Sequence, residues 1–148
     1  MKRKTIMTLA ALLIASTAQA AETLEVDVHR DANCGCCKGW IKHLEAERFT
    51  VNDQVEQDMT AVKGQLGVPQ GLRSCHTAVI NGRFVEGHVP AEQLKALNTR
   101  TDLVGIAVPG MPPGSPGMEQ GTARHAYKVI GVTVAGQQET VAAYDARP

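Results

Sequence analysis

Aromatic side chains are scarce in this chain: its 148 residues include one tryptophan, two tyrosines and two phenylalanines. No basic patch interleaved with rings can be built from them, which excludes the stacking and phosphate contacts of a nucleic-acid surface. Excess charge is missing too, with fifteen basic and fifteen acidic residues. No apolar run reaches the roughly 20 residues that a membrane-spanning helix needs. The motifs of hydrolytic and nucleotide chemistry are also absent: there is no Gly-x-Ser-x-Gly, no His-Glu-x-x-His and no glycine-rich phosphate loop.

The chain begins with a leader pattern. Lys2, Arg3 and Lys4 precede an apolar run over residues 6–15, and Ala18-Gln19-Ala20 forms a small-x-small cleavage site. That order predicts a secretory signal peptide over residues 1–20, leaving residues 21–148 as an exported chain with no membrane anchor after processing. The remainder is long enough for one domain with its own core and too short for two. The leader holds three of the fifteen basic residues and no acidic ones, so the mature part carries twelve basic against fifteen acidic residues.

Three of the four cysteines crowd into Asn33-Cys34-Gly35-Cys36-Cys37-Lys38-Gly39-Trp40. An alternating segment precedes them, with Leu24, Val26 and Val28 set against Glu25, Asp27 and His29, as in a half-buried strand. Trp40, Ile41 and Leu44 follow at helical spacing. Cys34 and Cys37 therefore form a C-x-x-C pair opening a helix, where the backbone N–H groups and the macrodipole favour thiolate. A bridge between Cys36 and Cys37 is disfavoured, because adjacent Cα atoms lie ~3.8 Å apart, below the ~4.4 Å minimum for a disulfide. One thiol is thus left available to a metal. Four cysteines in an exported chain also fit a disulfide framework with three possible pairings. Crowding three of them at one helix start suits a metal or redox site better than a staple.

The first helix is expected from Cys36 or Cys37 to Arg48, a second strand over residues 49–55, and a second helix through Met59, Val62 and Leu66, ending near Gly67 and Pro69. Residues 77–80 and 84–86 read as strands joined at Asn81-Gly82, a strong hairpin signal. Pro90 opens a third helix carrying Glu92, Leu94 and Leu97. The resulting β-α-β-α-β-β-α order, with C-x-x-C at the first strand-to-helix turn, is the thioredoxin-like arrangement. It is an α/β fold with a mixed sheet flanked by helices. In it, the loop before the hairpin packs on the cysteine motif, so Cys75 and His76 are expected beside Cys34, Cys36 and Cys37. His88, after the hairpin, is a further candidate. His43 reads as a half-exposed helix residue and His125 as a surface one. Residues 108–118 form a Met/Pro/Gly-rich loop in which Met111 and Met118 offer thioethers, soft donors suited to Cu(I). A β-hairpin over residues 127–134 and 140–144 closes the chain.

In Cys34-Gly35-Cys36-Cys37, Ser74-Cys75-His76-Thr77-Ala78, Glu86-Gly87-His88-Val89-Pro90 and the loop over residues 108–119, the chain resembles the CopG-type periplasmic copper-resistance proteins, a thioredoxin-like family with a C-x-C-C motif. The resemblance implies a periplasmic location and copper held by the motif sulfurs. It further implies a part for the region after the core and a role in copper handling or Cu(I)/Cu(II) interconversion, which would make the protein a copper oxidoreductase. Copper ions, and periplasmic copper chaperones or efflux components, are the partners it implies. His29 and His43 lie outside these segments. Thiolate, thioether and imidazole together select Cu(I) or zinc over hard cations, so a structural zinc site competes. A thiol-disulfide oxidoreductase is the other reading of the C-x-x-C pair. The candidate metal ligands are Cys34, Cys36, Cys37, Cys75, His76, His88, Met111 and Met118.

The leader pattern makes one testable prediction. Intact-mass measurement of protein from the producing cell should find the chain starting at Ala21 and outside the cytoplasm; soluble cytosolic protein that retains Met1 would contradict it.

Overall fold

The alternation of Val26 and Val28 with polar neighbours is realised in strand β1 (Glu25–Arg30), where both valines are fully buried. The computed structural model describes residues 23–148, so the expected leader over residues 1–20 lies outside the described residues. After β1 come helix α1 (Gly35–Ala46), strand β2 (Thr50–Val55), helix α2 (Met59–Gln65), a single 3-10 turn at Gln70–Leu72, and strands β3 (Thr77–Ile80) and β4 (Arg83–Glu86). Helix α3 (Ala91–Leu97) and strands β5 (Leu103–Ala107), β6 (Tyr127–Thr133) and β7 (Gln138–Tyr144) complete the order. The seven strands form one mixed sheet, ordered β2-β1-β3-β4-β5-β6-β7. The β1/β2 and β4/β5 pairs are parallel and the others antiparallel. The β-α-β-α-β-β-α order and the closing hairpin expected from the sequence are therefore present.

Period-two alternation gives the sheet two apolar faces. On one face Val26, Val28, Ala78, Ile80, Val85, Ile106 and Val129 pack with Trp40, Ile41 and Leu44 of α1 and Leu94 and Leu97 of α3. On the other, Phe84, Ala107 and Val132 meet Val68 and Leu72 from the segment after α2. At the tight turn between β3 and β4, Asn81 and Gly82 have φ of 49° and 72°, the two left-handed residues that this hairpin turn requires.

Strand β5 is the element that the sequence pattern missed. Gly105 interrupts its apolar run, and the reason lies across the sheet: Gly105 pairs with Phe84, and a Cβ at Gly105 would overlap the Phe84 ring. The glycine makes room for the ring, a long-range need that leaves no local signal. Smaller differences concern ends. Helix α1 starts one residue earlier than expected and finishes at Ala46, where Arg48 with φ of 69° turns the chain away. Strand β7 begins at Gln138, two residues early.

The loop over residues 108–118 is held against the first turns of α1. At Gly117, with φ of 82°, a Cβ would lie 2.5 Å from the Trp40 nitrogen and 2.9 Å from the Cys36 carbonyl oxygen. Gly117→Ala should therefore destabilise the protein by about 1–3 kcal/mol through left-handed strain, and by more if the loop lifts from the helix. Chemical denaturation followed by the fluorescence of Trp40, the single tryptophan, measures this directly.

Candidate metal centre

Strand β1 ends in a braced turn. Arg30 donates to both carboxylate oxygens of Asp53 at 2.7 and 2.6 Å and to the Asp31 carbonyl at 3.1 Å. The Asn33 N–H donates to Asp31 Oδ1 at 2.8 Å, and the Cys34 N–H to the Asp31 carbonyl at 3.2 Å. This turn delivers Cys34 to the N-cap of α1 and puts Cys36 and Cys37 in its first turn. Cys37 is fully buried, whereas Cys36 is half-buried. Cys34 and Cys37 are joined as a disulfide, while Cys36 and Cys75 are free thiols. The sequence reading offered all four sulfurs as metal donors; in this state two are paired, and a four-thiolate set exists only after that bond is reduced.

Cys75 arrives by topology. Strand β3 runs antiparallel to β1 with Thr77 opposite His29, so the residues just before β3 meet those just after β1. The Cys36 and Cys75 sulfurs are 3.8 Å apart, Cys34 and Cys36 are 3.5 Å apart, and all four sulfurs lie within 4.8 Å of one another. Strand β4 then brings in His88. Cys75, His76 and His88 form a second group with ligand atoms within 4.8 Å, so Cys75 is common to both.

The hydrogen bonds of this second group orient its donors. His88 Nδ1 lies 2.7 Å from the Pro116 carbonyl oxygen, which can only accept, so Nδ1 carries the proton and the Nε2 lone pair faces Cys75 Sγ at 3.1 Å. A carbonyl holding the far nitrogen in this way is the arrangement that fixes a metal-binding imidazole. His76 Nδ1 sits 3.2 Å from the same sulfur, and its ring lies tilted against Trp40 with centroids 4.4 Å apart, while the Trp40 Nε1–H donates to the Val89 carbonyl. His76 is completely buried, and its Nε2 has no hydrogen-bond partner among the described residues. An unpaired buried polar atom of this kind costs about 1–3 kcal/mol, which is tolerated where chemistry needs the group.

Burial sets the protonation of the set. It pushes the Cys75 thiol up to about 12, helped by Cys36. It also holds His76 well below the usual imidazole value, aided by His88 and Lys63, and lowers His88 as well. Both imidazoles are therefore neutral donors, and a metal taken at Cys75 displaces its proton. Soft sulfur and neutral imidazole are suited to Cu(I) or zinc and poorly suited to magnesium or calcium.

The methionine loop lies over this cluster. Pro116 holds His88, Gly117 packs on α1, and the Ser74 hydroxyl donates to the Gly110 carbonyl. Met118 is half-buried, and Met111 is 50% exposed at the outer side. His125 is exposed. His43 is more than the bland helix residue that the sequence suggested. Its Nε2 accepts the Ala91 N–H at 3.1 Å, satisfying a free donor at the start of α3 just past His88. Nothing local marks this role, because the partner is 48 residues away.

A family model described as a protein of unknown function, DUF411, matches residues 72–118, the stretch from the Cys75 loop through Met118. No curated protein matches the chain. Among solved structures, Copper resistance protein copG in form 2 is 63% identical, with a TM-score of 0.82, over 83% of this chain and 99% of that one. Form 1 of the same protein gives 63% identity and a TM-score of 0.81 over 84% of this chain and 99% of that one. This chain belongs to the CopG family of copper resistance proteins. Its cysteine cluster and methionine loop are thus features of a CopG-family fold, and residues 72–118, matched by the DUF411 model, fall inside that fold.

The His43 contact generates a pH prediction. Burial lowers His43 from its ordinary value, and the hydrogen bond from Ala91 requires Nε2 to be unprotonated. The unfolded chain therefore takes up the proton first, so this stabilisation is complete above about 6.5 and declines as the pH falls towards the depressed folded value. Denaturant midpoints of the metal-free protein should fall from pH 7 to pH 5. His43→Gln, which can still accept from Ala91 but does not titrate, should flatten part of that slope. His76 and His88, also lowered by burial, act in the same direction.

Proposed function

We propose that this protein is a periplasmic copper-binding protein of copper resistance that takes up copper at the cysteine cluster and interconverts Cu(I) and Cu(II). The observation that carries the reading is the gathering of four cysteine sulfurs within 4.8 Å, with Cys75 shared by a second group containing His76 and His88. Copper enters here as cargo and substrate. Cys36, Cys75, His76 and His88 hold it in the oxidised form of the chain, and Cys34 and Cys37 join when their bond is reduced. Met111 and Met118 add thioethers at the outer side, where copper passes from periplasmic chaperones or towards efflux components. The name of the two matched structures, a copper resistance protein, supports copper over zinc for the same donor set.

The C-x-x-C pair supplies the redox step. Two Cu(II) ions each accept one electron as the Cys34 and Cys37 thiols lose two protons and form one S–S bond, giving two Cu(I) ions that the sulfur-rich site favours. Run in reverse, Cu(I) is oxidised as the disulfide opens and takes up two protons. The forward step consumes the Cys34–Cys37 dithiol, so the disulfide form of the chain must first be opened by a thiol reductant.

Reduced protein should bind copper with strong sulfur-to-metal absorption and should turn over disulfide substrates poorly. Cys75→Ser should weaken Cu(I) binding about as severely as Cys36→Ser, by ~10-fold or more, equivalent to ~1.4 kcal/mol, in competition with a Cu(I) chelator. Met111→Leu with Met118→Leu should keep the fold and weaken or reshape the site, since leucine conserves volume but cannot coordinate. Brisk reduction of an insulin-type disulfide by metal-free protein would turn the reading into a thiol-disulfide oxidoreductase. Stoichiometric zinc without copper, in protein from copper-replete cells, would turn it into a structural zinc site.

A further inference from the structure

Behind Cys75 and His76 lies a buried ion pair. Glu86, at the end of β4, is fully buried, and Lys63 of α2 donates to its Oε1 at 2.6 Å with only 7% of the lysine side chain exposed. Exchanging such a pair for apolar residues is often neutral or stabilising, so fold stability alone is a weak account of it. Its other bonds point to a different role. Glu86 Oε1 also accepts the Ser74 N–H at 2.6 Å, and Oε2 accepts the Thr77 hydroxyl at 2.6 Å. Lys63 Nζ donates to that same hydroxyl oxygen at 2.8 Å. Ser74 and Thr77 are the residues immediately before and after Cys75-His76. One carboxylate therefore grips the two-ligand segment on both sides, and the ammonium ties it to α2.

The segment needs such a grip. It runs from the 3-10 turn at Gln70–Leu72 to the start of β3, with no ladder of its own until Thr77. Beyond the Glu86 contacts it has the Gly87 N–H donating to the His76 carbonyl at 3.0 Å and the Ser74 hydroxyl on the Gly110 carbonyl. Metal–sulfur bonds near 2.3 Å leave little tolerance for a loosely held donor.

We infer that the Glu86–Lys63–Thr77 network is the positioning device of the copper site: Glu86 holds the Ser74 backbone N–H on one side of Cys75-His76 and the Thr77 hydroxyl on the other, and Lys63 neutralises and aims the carboxylate, while neither touches the metal. The inference rests on the copper reading for what the segment binds. The clamp itself is a property of the metal-free chain. Charge compensation and geometry act together, because removing either partner leaves the other buried and releases the loop.

The test uses Glu86→Gln and Lys63→Met, each in the full mature chain. Cu(I) affinity in both should fall by about 10- to 100-fold against a Cu(I) chelator, the range found when groups that orient metal ligands are removed, and the sulfur-to-copper absorption should shift. A second arm needs no metal. In a Cys36→Ser background with the Cys34–Cys37 disulfide intact, Cys75 is the one free thiol, and its alkylation should accelerate severalfold when Glu86 or Lys63 is replaced. Val129→Ala, in the fully buried core on β6, is the stability control, lowering the melting temperature while leaving affinity and alkylation unchanged. If Glu86→Gln does not fold, Thr77→Val, which exchanges the hydroxyl for a methyl, carries both arms in its place. Folded variants with the parent's affinity and alkylation rate would overturn the inference, as would a Val129→Ala control that moves both as much. Failure of the parent to bind Cu(I) would count against the copper reading alone, because the alkylation arm still decides the clamp.

Discussion

The antiparallel pairing of β1 with β3 is the constraint on which the rest of the site depends. With Thr77 set opposite His29, the end of one strand and the start of another are held a single sheet spacing apart. The C-x-C-C turn leaves β1 and the Cys75-His76 segment enters β3, so sulfurs that are 39 residues apart in sequence meet at 3.8 Å. A one-residue slip in that register would turn every β3 side chain to the opposite face, sending Ala78 and Ile80 out of the core. The burial of both residues against α1 and α3 is what forbids the slip.

Around this junction, the donors are shielded on each side by something the fold already requires. Trp40, a core residue of α1, also forms the floor under His76. The backbone of the methionine loop, stiffened by its prolines, holds His88 through Pro116 and rests on α1 at Gly117. His43 finishes α3 just past His88 and so steadies the same corner. Desolvation follows from this enclosure. It keeps the imidazoles neutral and the Cys75 thiol protonated in the metal-free chain.

Much of this was legible in the sequence, for reasons that are local. Alternation at Val26 and Val28 marks β1, the Asn81-Gly82 pair marks the hairpin, and Trp40, Ile41 and Leu44 mark the inner face of α1. The soft character of the site is legible too, because three crowded cysteines and two loop methionines identify it by composition. The approach of Cys75 to the motif required a further step, from element order to topology, and the structure has that adjacency.

Features that depend on a distant partner left no trace in the sequence. Gly105 looks like a break in a strand until the Phe84 ring is seen lying over it. Nothing local marks Lys63 and Glu86 as partners, yet packing buries them together behind the Cys75-His76 segment. His43 becomes a cap only because α3 is brought to it. The C-x-x-C spacing marks Cys34 and Cys37 as a pair, but nothing local places the free Cys75 thiol beside the free Cys36. By itself, then, the sequence determined the elements other than β5, the kind of donor atoms and the metals they suit, because propensity, periodicity and ligand softness are properties of residues and their near neighbours. The tertiary structure alone decided which sulfurs and imidazoles lie together, which nitrogen of His88 faces Cys75 and which charges are buried behind that segment, because these depend on contacts and desolvation between segments that only folding brings together.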